Sequence, residues 1–339
     1  MTKKTKLLAS VTIVIGILIM LVSLVSCGFN FKKLSGNDIQ TSEYEITDAF
    51  ENIHVLADTE DIKFLPSESG SVKVVCKNEE KRMSHSVAVN SGTLEIKPCD
   101  ERKWYDRVDM FSFEESEIIV YLPVSEYGAL KIEADTSDVE ISKGFTFSNI
   151  DINLSTGDTD CRASATEFIK IGVSTGEVDV EDVTVGALDI SASTGDIELK
   201  NVNAASISVK TNTGDLKASN LNVSGEINRE CSTGESEFEN VNCGSFSSKG
   251  TTGILTLVRF VAAGMMNIER SNGDVTLRES DAGEILIQTS TGDVNATLLT
   301  AKVFITNTST GKIRVPESTT GEKCKIVTST GDITASFVG

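Results

Sequence analysis

From Leu130 onward, apolar and polar residues alternate in a pattern that resets every 19 or 20 residues. Counted back from a recurring glycine, positions seven and five are mostly apolar: Leu130/Ile132, Ile150/Ile152, Ile169/Ile171, Leu188/Ile190, Ile207/Val209, Met266/Ile268 and Ile285/Ile287. Positions two and four after it repeat the alternation in Val139/Ile141, Val178/Val180, Ile197/Leu199, Leu255/Leu257, Val275/Leu277 and Ile313/Val315. Period-two alternation on both sides of a turn predicts two half-buried strands per unit and no helix. A third apolar point follows seven residues after the glycine in Val183, Val202, Leu221, Val241 and Phe260. It leaves room for a short third wall.

The glycine belongs to a polar phrase that first reads Thr136-Ser137-Asp138, with Ser137 in the glycine place, then Ser155-Thr156-Gly157-Asp158 and Ser174-Thr175-Gly176-Glu177. Further copies centre on Gly195, Gly214, Gly234, Gly253, Gly273, Gly292, Gly311 and Gly331, eleven in all. A constant period in this range marks stacked supersecondary units. Glycine supplies a positive φ without steric cost, and Ser, Thr and Asp hydrogen-bond turn backbone. One rung cannot bury its apolar face, but a stack can. The expected fold is therefore all-β: a single-stack parallel β-helix whose rungs, ~4.8 Å apart, make a rod on the order of 50 Å long.

Outside residues 129–339 the pattern changes. Residues 1–33 begin with Lys3, Lys4 and Lys6 and an apolar run from Leu7 to Val25, just long enough to span a bilayer. Leading lysines favour a cytoplasmic N-terminus with the remainder outside. Two readings stand for this segment, an uncleaved anchor helix or a lipoprotein signal. In the second, Leu24-Val25-Ser26-Cys27 is a lipobox and Cys27 carries lipid. Either places the solenoid outside the cytoplasm. Residues 34–128 read as a β-rich cap of degenerate rungs: Glu60 occupies the glycine place, and the 77 residues from it to Ser137 approach four periods.

Charge narrows the partners. Lys and Arg number 31 against 50 Asp and Glu, a net charge of −19, which argues against nucleic acid and anionic lipid as partners of the solenoid. Positions one and three after the glycine form an acidic ladder: Asp138/Glu140, Asp158/Asp160, Glu177/Asp179, Asp196/Glu198 and Glu235/Glu237. Oxygen-rich columns suit Ca²⁺ or a cationic partner. The plainer reading is a solvated face whose first acid braces the turn. Lys217, Lys312 and Arg314 interrupt the columns, so weak cation binding at most is expected. On the other strand, Leu286 and Ile305, with Val327 diagonally beyond, form a candidate apolar docking patch. The strand Ile333–Phe337 near the chain end is expected to be an unpaired edge, guarded by Lys323 and Lys325, where weak self-association is possible.

Catalytic candidates are scarce. Rungs this short spare no loops for a cleft of paired carboxylates, although the charged stretch between Cys99 and Glu117 is long enough for one. His54 and His85 are the only histidines, and no Cys-x-x-Cys occurs, so neither a metal nor another cofactor is expected. Cys161, Cys231 and Cys324 fall in inward columns as small hydrophobes, while Cys76 and Cys99 are candidates for pairing.

The repeats, the segment Gly28-Phe29-Asn30-Phe31-Lys32-Lys33-Leu34 after the apolar run, and Ile118-Ile119-Val120-Tyr121-Leu122-Pro123 resemble a bacterial "putative adhesin" domain-of-unknown-function family of β-solenoids. The resemblance implies a surface-exposed solenoid with no catalytic residues to carry over. Ser137, Ile254 and Lys312 depart from its repeat phrase. Together these readings point to a membrane-anchored, non-catalytic solenoid that binds an envelope or host-surface protein or polysaccharide, or acts as an envelope scaffold. A sensor of envelope state working through membrane partners is the alternative, and a polysaccharide-active enzyme comes third.

Overall fold

The structure, a computed structural model, describes residues 39–80, 83–100 and 116–338. The apolar run read above as an anchor or a signal, Cys27, and residues 101–115 of the charged stretch lie outside the described residues. Among the described residues every regular element is a strand, and no helix is long and apolar enough to cross a membrane.

The chain opens with β1 (Ile39–Ile46), β2 (Asn52–Ala57) and β3 (Asp61–Pro66), then β4 (Val72–Glu80), β5 (Met83–Asn90), β6 (Thr93–Asp100) and β7 (Glu117–Leu122). The regular coil begins with β8 (Glu126–Thr136) and β9 (Val139–Ile141). It continues through β10 (Thr146–Thr156), β11 (Thr159–Cys161), β12 (Ser164–Thr175), β13 (Val178–Glu181), β14 (Thr184–Thr194), β15 (Ile197–Lys200) and β16 (Asn203–Thr213). Longer strands carry one rung into the next: β17 (Leu216–Thr233), β18 (Ser236–Thr252), β19 (Leu255–Asn272) and β20 (Val275–Thr291). The last are β21 (Val294–Leu298), β22 (Lys302–Thr310), β23 (Ile313–Arg314), β24 (Glu322–Thr330) and β25 (Ile333–Phe337).

Stacking is parallel and in register, as in Ile169↔Leu188 and Leu188↔Ile207. The alternating residues of both strands face one continuous core, and the third wall is present as Val183/Val185, Val202/Ala204 and Leu221/Val223. Glycine is needed for two reasons. Gly195 has a φ of 141°, and a Cβ there would lie 1.8 Å from the carbonyl oxygen of Gly176 in the rung before. The rungs are so close at this corner that only a residue without a side chain fits.

The first edge is folded out of chain order. β2 and β3 pair directly with β8 and β9, through Ile53↔Leu130 and Ile62↔Val139. The turns at Glu60 and Ser137 are thus neighbours, and the residues between them do not fill four stacked periods. They go around the edge instead: β6 pairs on the far side of β2, β7 on the far side of β3, and antiparallel β4, β1 and β5 close over them. Glu60 replaces glycine by turning its carboxylate inward to accept the N–H groups of Asp58 (3.0 Å) and Thr59 (3.1 Å).

The other edge corrects the expectation for Ile333–Phe337. β24 and β25 insert between the β20–β21 rung and the β22–β23 rung, with Val294↔Ile333 on one side and Ile313↔Ile333 on the other. The open edge is therefore Lys302–Arg314, and the chain's last strand is internal. Lys323 and Lys325 sit one rung inside, where Lys323 bonds Glu284 at 2.7 Å. Composition explains the order. The inserted rung supplies buried Cys324, Ile326 and Ile333, whereas the outer one has Thr306 in the corresponding column and an exposed Ile313. Lys302 reaches from the outer rung across the inserted one to Asp281 (2.7 Å) and the Ala282 carbonyl (2.7 Å), a buried pair that fixes the arrangement.

Cys161, Cys243 and Cys324 are buried, and burial pushes each thiol up to about 12. Cys231 is buried too, and no disulfide joins Cys76 to the exposed Cys99.

Candidate binding face

Two columns of the glycine phrase face solvent at the corner before each turn. Ser155, Ser174, Ser193, Asn212, Ser232, Thr251, Ser271 and Ser290 stack as one; Thr156, Thr175, Thr194, Thr213, Thr233 and Thr252 stack beside them. A groove follows the first column along the solenoid. Its N-terminal part, about 910 Å³, runs from Lys97 and Asp58 to Asn212 over Leu154, Val173 and Ala192. The second part, about 640 Å³, shares Lys210 and Asn212 and reaches Ser290 over Thr211, Cys231, Gly250 and Arg270. The floor changes from apolar to polar midway. Along the rim Lys210, Glu230, Lys249 and Glu269 alternate in sign, with pairs at 3.3 Å and 3.8 Å. Such exposed pairs contribute little stability and leave the groove nearly neutral.

The acidic ladder has two different columns. In the first, Asp138 accepts the backbone N–H of Asp158 (2.8 Å), Asp158 that of Glu177 (2.7 Å), and Asp196 that of Asp215 (2.8 Å). Asp215, Asp274, Asp293 and Asp332 repeat the bond. These aspartates clamp each rung to the next. Glu177 and Glu235 occupy the same column and donate their own N–H groups to it. In the second column Glu140, Asp160, Asp179 and Glu198 are consecutive, then Lys217 separates them from Glu237. Asp179 is pushed above the usual carboxylate range, first by partial burial and then by Glu198, Asp160, Glu177 and Asp158. Arg162 answers part of this charge at Asp160 (3.0 Å) and Glu181 (3.7 Å). Among the described residues no group of three or more His, Cys, Asp or Glu side chains is arranged to hold a metal ion.

The apolar patch is divided. Leu286 and Ile305 each pair with Lys325, which lies between them, and Val327 pairs with Gln288 and Asn307. Of the three, Ile305 is exposed and the others are half-buried.

Two features have no counterpart in the sequence reading. At the second corner, six residues after the glycine, Asp182, Asn201, Asn220, Asn240, Arg259 and Glu279 all have φ between 49° and 59°. Asn201 donates to Asp182 (2.7 Å), Asn220 to Asn201 (3.0 Å), Asn240 to Asn220 (3.1 Å) and Arg259 to Asn240 (2.6 Å). The signal was available: asparagine tolerates the left-handed region, and it recurs at this offset. The second feature is the pair of buried arginines, Arg229 and Arg270.

The sequence profile described as Toastrack DUF4097 matches residues 50–237 and again 222–339. Among solved structures, a "putative adhesin" from Bacteroides fragilis NCTC 9343 is 15% identical, with a TM-score of 0.39 and coverage of 89% of this chain and 98% of its own. A "putative lipid binding protein" from Parabacteroides distasonis ATCC 8503 is 17% identical, with a TM-score of 0.47 and coverage of 78% and 98%. A "putative adhesin" from the same strain is 13% identical, with a TM-score of 0.43 and coverage of 90% and 98%. No curated protein matches.

Proposed function

This chain belongs to the Toastrack DUF4097 family, and from that premise we propose that it is an adhesin-like, non-catalytic binding surface held outside the cytoplasm. The supporting observation is the groove along the serine and threonine columns, which presents the same small polar groups rung after rung. A ligand with its own linear repeat gains one equivalent contact per rung, and hydroxyl and amide partners match a nearly neutral lining. The proposed ligand is thus a linear envelope or host-surface polysaccharide. The alternation of rim charge disfavours a strongly charged polymer.

The test is sedimentation of the full chain with insoluble peptidoglycan and with cellulose. Ser174→Lys together with Ser193→Lys fills the apolar-floored part of the groove without entering the core. Binding by the native chain at least ten-fold tighter than by this variant supports the reading. Equal retention of both, or retention of neither, sinks it. The extracytoplasmic placement rests on the lysines and apolar run at the N-terminus. Protease treatment of intact cells then releases solenoid peptides, and Cys27→Ala abolishes lipid labelling only if the lipobox is used.

A further inference from the structure

We propose that Arg229 and Arg270 form a binding site for a small anion inside the solenoid, reached through the groove at Gly250. Arg229 interrupts an apolar column, with Val209 in the rung before it and Ser248 then Ile268 in the two rungs after. Arg270 instead follows Thr211, Cys231 and Gly250 and precedes Thr289, in a column whose apolar members, Val173 and Ala192, lie farther back. The rung between them is cut back: Arg229 pairs in register with Ser248, and Gly250 lies between Cys231 and Arg270. The Arg270 guanidinium turns into the space that Gly250 and Ser248 leave, and Arg229 is near enough for its charge to act on Arg270. Arg229 Nε donates to Ser236 Oγ at 3.1 Å and its Nη1 to the Glu230 carbonyl at 2.9 Å. Arg270 Nη2 donates to Ser248 Oγ at 2.9 Å, and its Nη1 lies 1.7 Å from where a Gly250 Cβ would stand. The glycine is therefore the passage for the arginine.

These bonds leave donors over. Arg229 Nη2 and Arg270 Nε and Nη1 are buried without a protein acceptor, and the two side chains are 0% and 4% exposed. Neither makes a salt bridge among the described residues. A guanidinium stays charged, and two buried like charges are costly unless an opposite charge joins them. Burial lowers the affinity of both for their protons, and Arg229 adds to that effect on Arg270, which falls to about 10. Arg270, Gly250, Cys231 and Thr211 line the groove floor, which gives an anion a way in. Lys210 and Lys249 flank the entrance, but Glu230 and Glu269 offset them. Affinity therefore comes from the buried pair. The confined space suits chloride or a small carboxylate and excludes a bulky anion.

The experiment is thermal unfolding of the full chain at constant ionic strength, with sodium gluconate replaced stepwise by sodium chloride or sodium acetate. Constant ionic strength removes the general screening that a highly acidic protein would otherwise show. Because a ligand of the native state stabilises by mass action, Tm is expected to rise by several degrees and saturate with at least one small anion. Chloride acting alone indicates an inorganic ion, and acetate acting more strongly indicates a carboxylate. Arg229→Met with Arg270→Met removes the response. Should that variant fail to fold, calorimetric titration of the native chain with sodium chloride and with sodium acetate reports the site directly, with one anion per chain expected for at least one of them. Identical Tm in all three salts, no heat of binding from either small anion, or a response that survives in the double variant overturns the proposal.

Discussion

At the scale of single residues, the solenoid's two corners make opposite demands on the left-handed backbone. The glycine corner admits no side chain, because a Cβ on Gly195 meets the Gly176 carbonyl oxygen at 1.8 Å. Gly195→Ala is expected to destabilise by at least ~1–3 kcal/mol from backbone strain alone, read as a fall in the denaturation midpoint. The asparagine corner tolerates side chains, yet Glu279 holds a φ of 49° there without asparagine's local compensation. Replacing Glu279 with Asn should stabilise by ~0.5–1 kcal/mol, because an unfavourable local conformation is relieved and the ladder gains a member. A lower Tm for Glu279→Asn would mean that the corner is held by contacts that the glutamate itself makes.

Among elements, the first rung stands apart because a carboxylate does a glycine's work. Glu60 in the β2–β3 turn is buried beside His85, with Oε1 3.8 Å from its Nε2. Burial by itself would raise the Glu60 pKa, but the hydrogen bond and charge of His85 and the Asp58 and Thr59 N–H groups outweigh it, and the net shift is downward. A carboxylate with a depressed folded pKa contributes stability that is complete above its ordinary value and lost as pH falls through the depressed one. The β2–β3 rung is therefore expected to loosen in acid, from about pH 4 downward, before the middle of the coil does. Hydrogen exchange of the Asn52–Pro66 amides at a series of pH values checks this. Glu60→Gln should show raised exchange at neutral pH and a flatter pH dependence. If it matches the native protein at pH 7, the carboxylate does not hold the turn.

For the whole molecule, the decisive feature is the order of rungs at the C-terminal end. Asn295 pairs with Thr334, and Arg314 lies one rung farther out. Adjacent strands stand ~4.8 Å apart, inside the range a disulfide spans, whereas two rungs exceed it. Under mild oxidation Asn295→Cys with Thr334→Cys should crosslink, and Asn295→Cys with Arg314→Cys should not. The reverse result would show that the rungs stack in chain order. The same arrangement places Lys312 at the end of the aspartate column. Its backbone N–H donates to Asp332 Oδ1 (2.7 Å), and it has no acid to accept from another rung. Inside the stack it would break the series of clamps.

What the sequence determined by itself is whatever repeats. Period-two alternation around a glycine every 19 or 20 residues fixes two strands per rung, parallel stacking and the inward columns, because each is a local rule applied many times. The bracing role of Asp158 and Asp196 was legible for the same reason. The groove followed less directly, since its serine column is local but its concavity depends on how the corners stack. Interactions between residues far apart in the chain were not legible. Direct pairing of Ile53 with Leu130 and of Val294 with Ile333 is chosen by which rung best completes the core, a comparison among rungs with the same local pattern. Arg229 likewise looks like a break in an apolar column, and Arg270 like one more polar residue in a mixed one. Only stacking brings them together over Gly250, because their shared space belongs to three rungs at once and to no segment of the sequence.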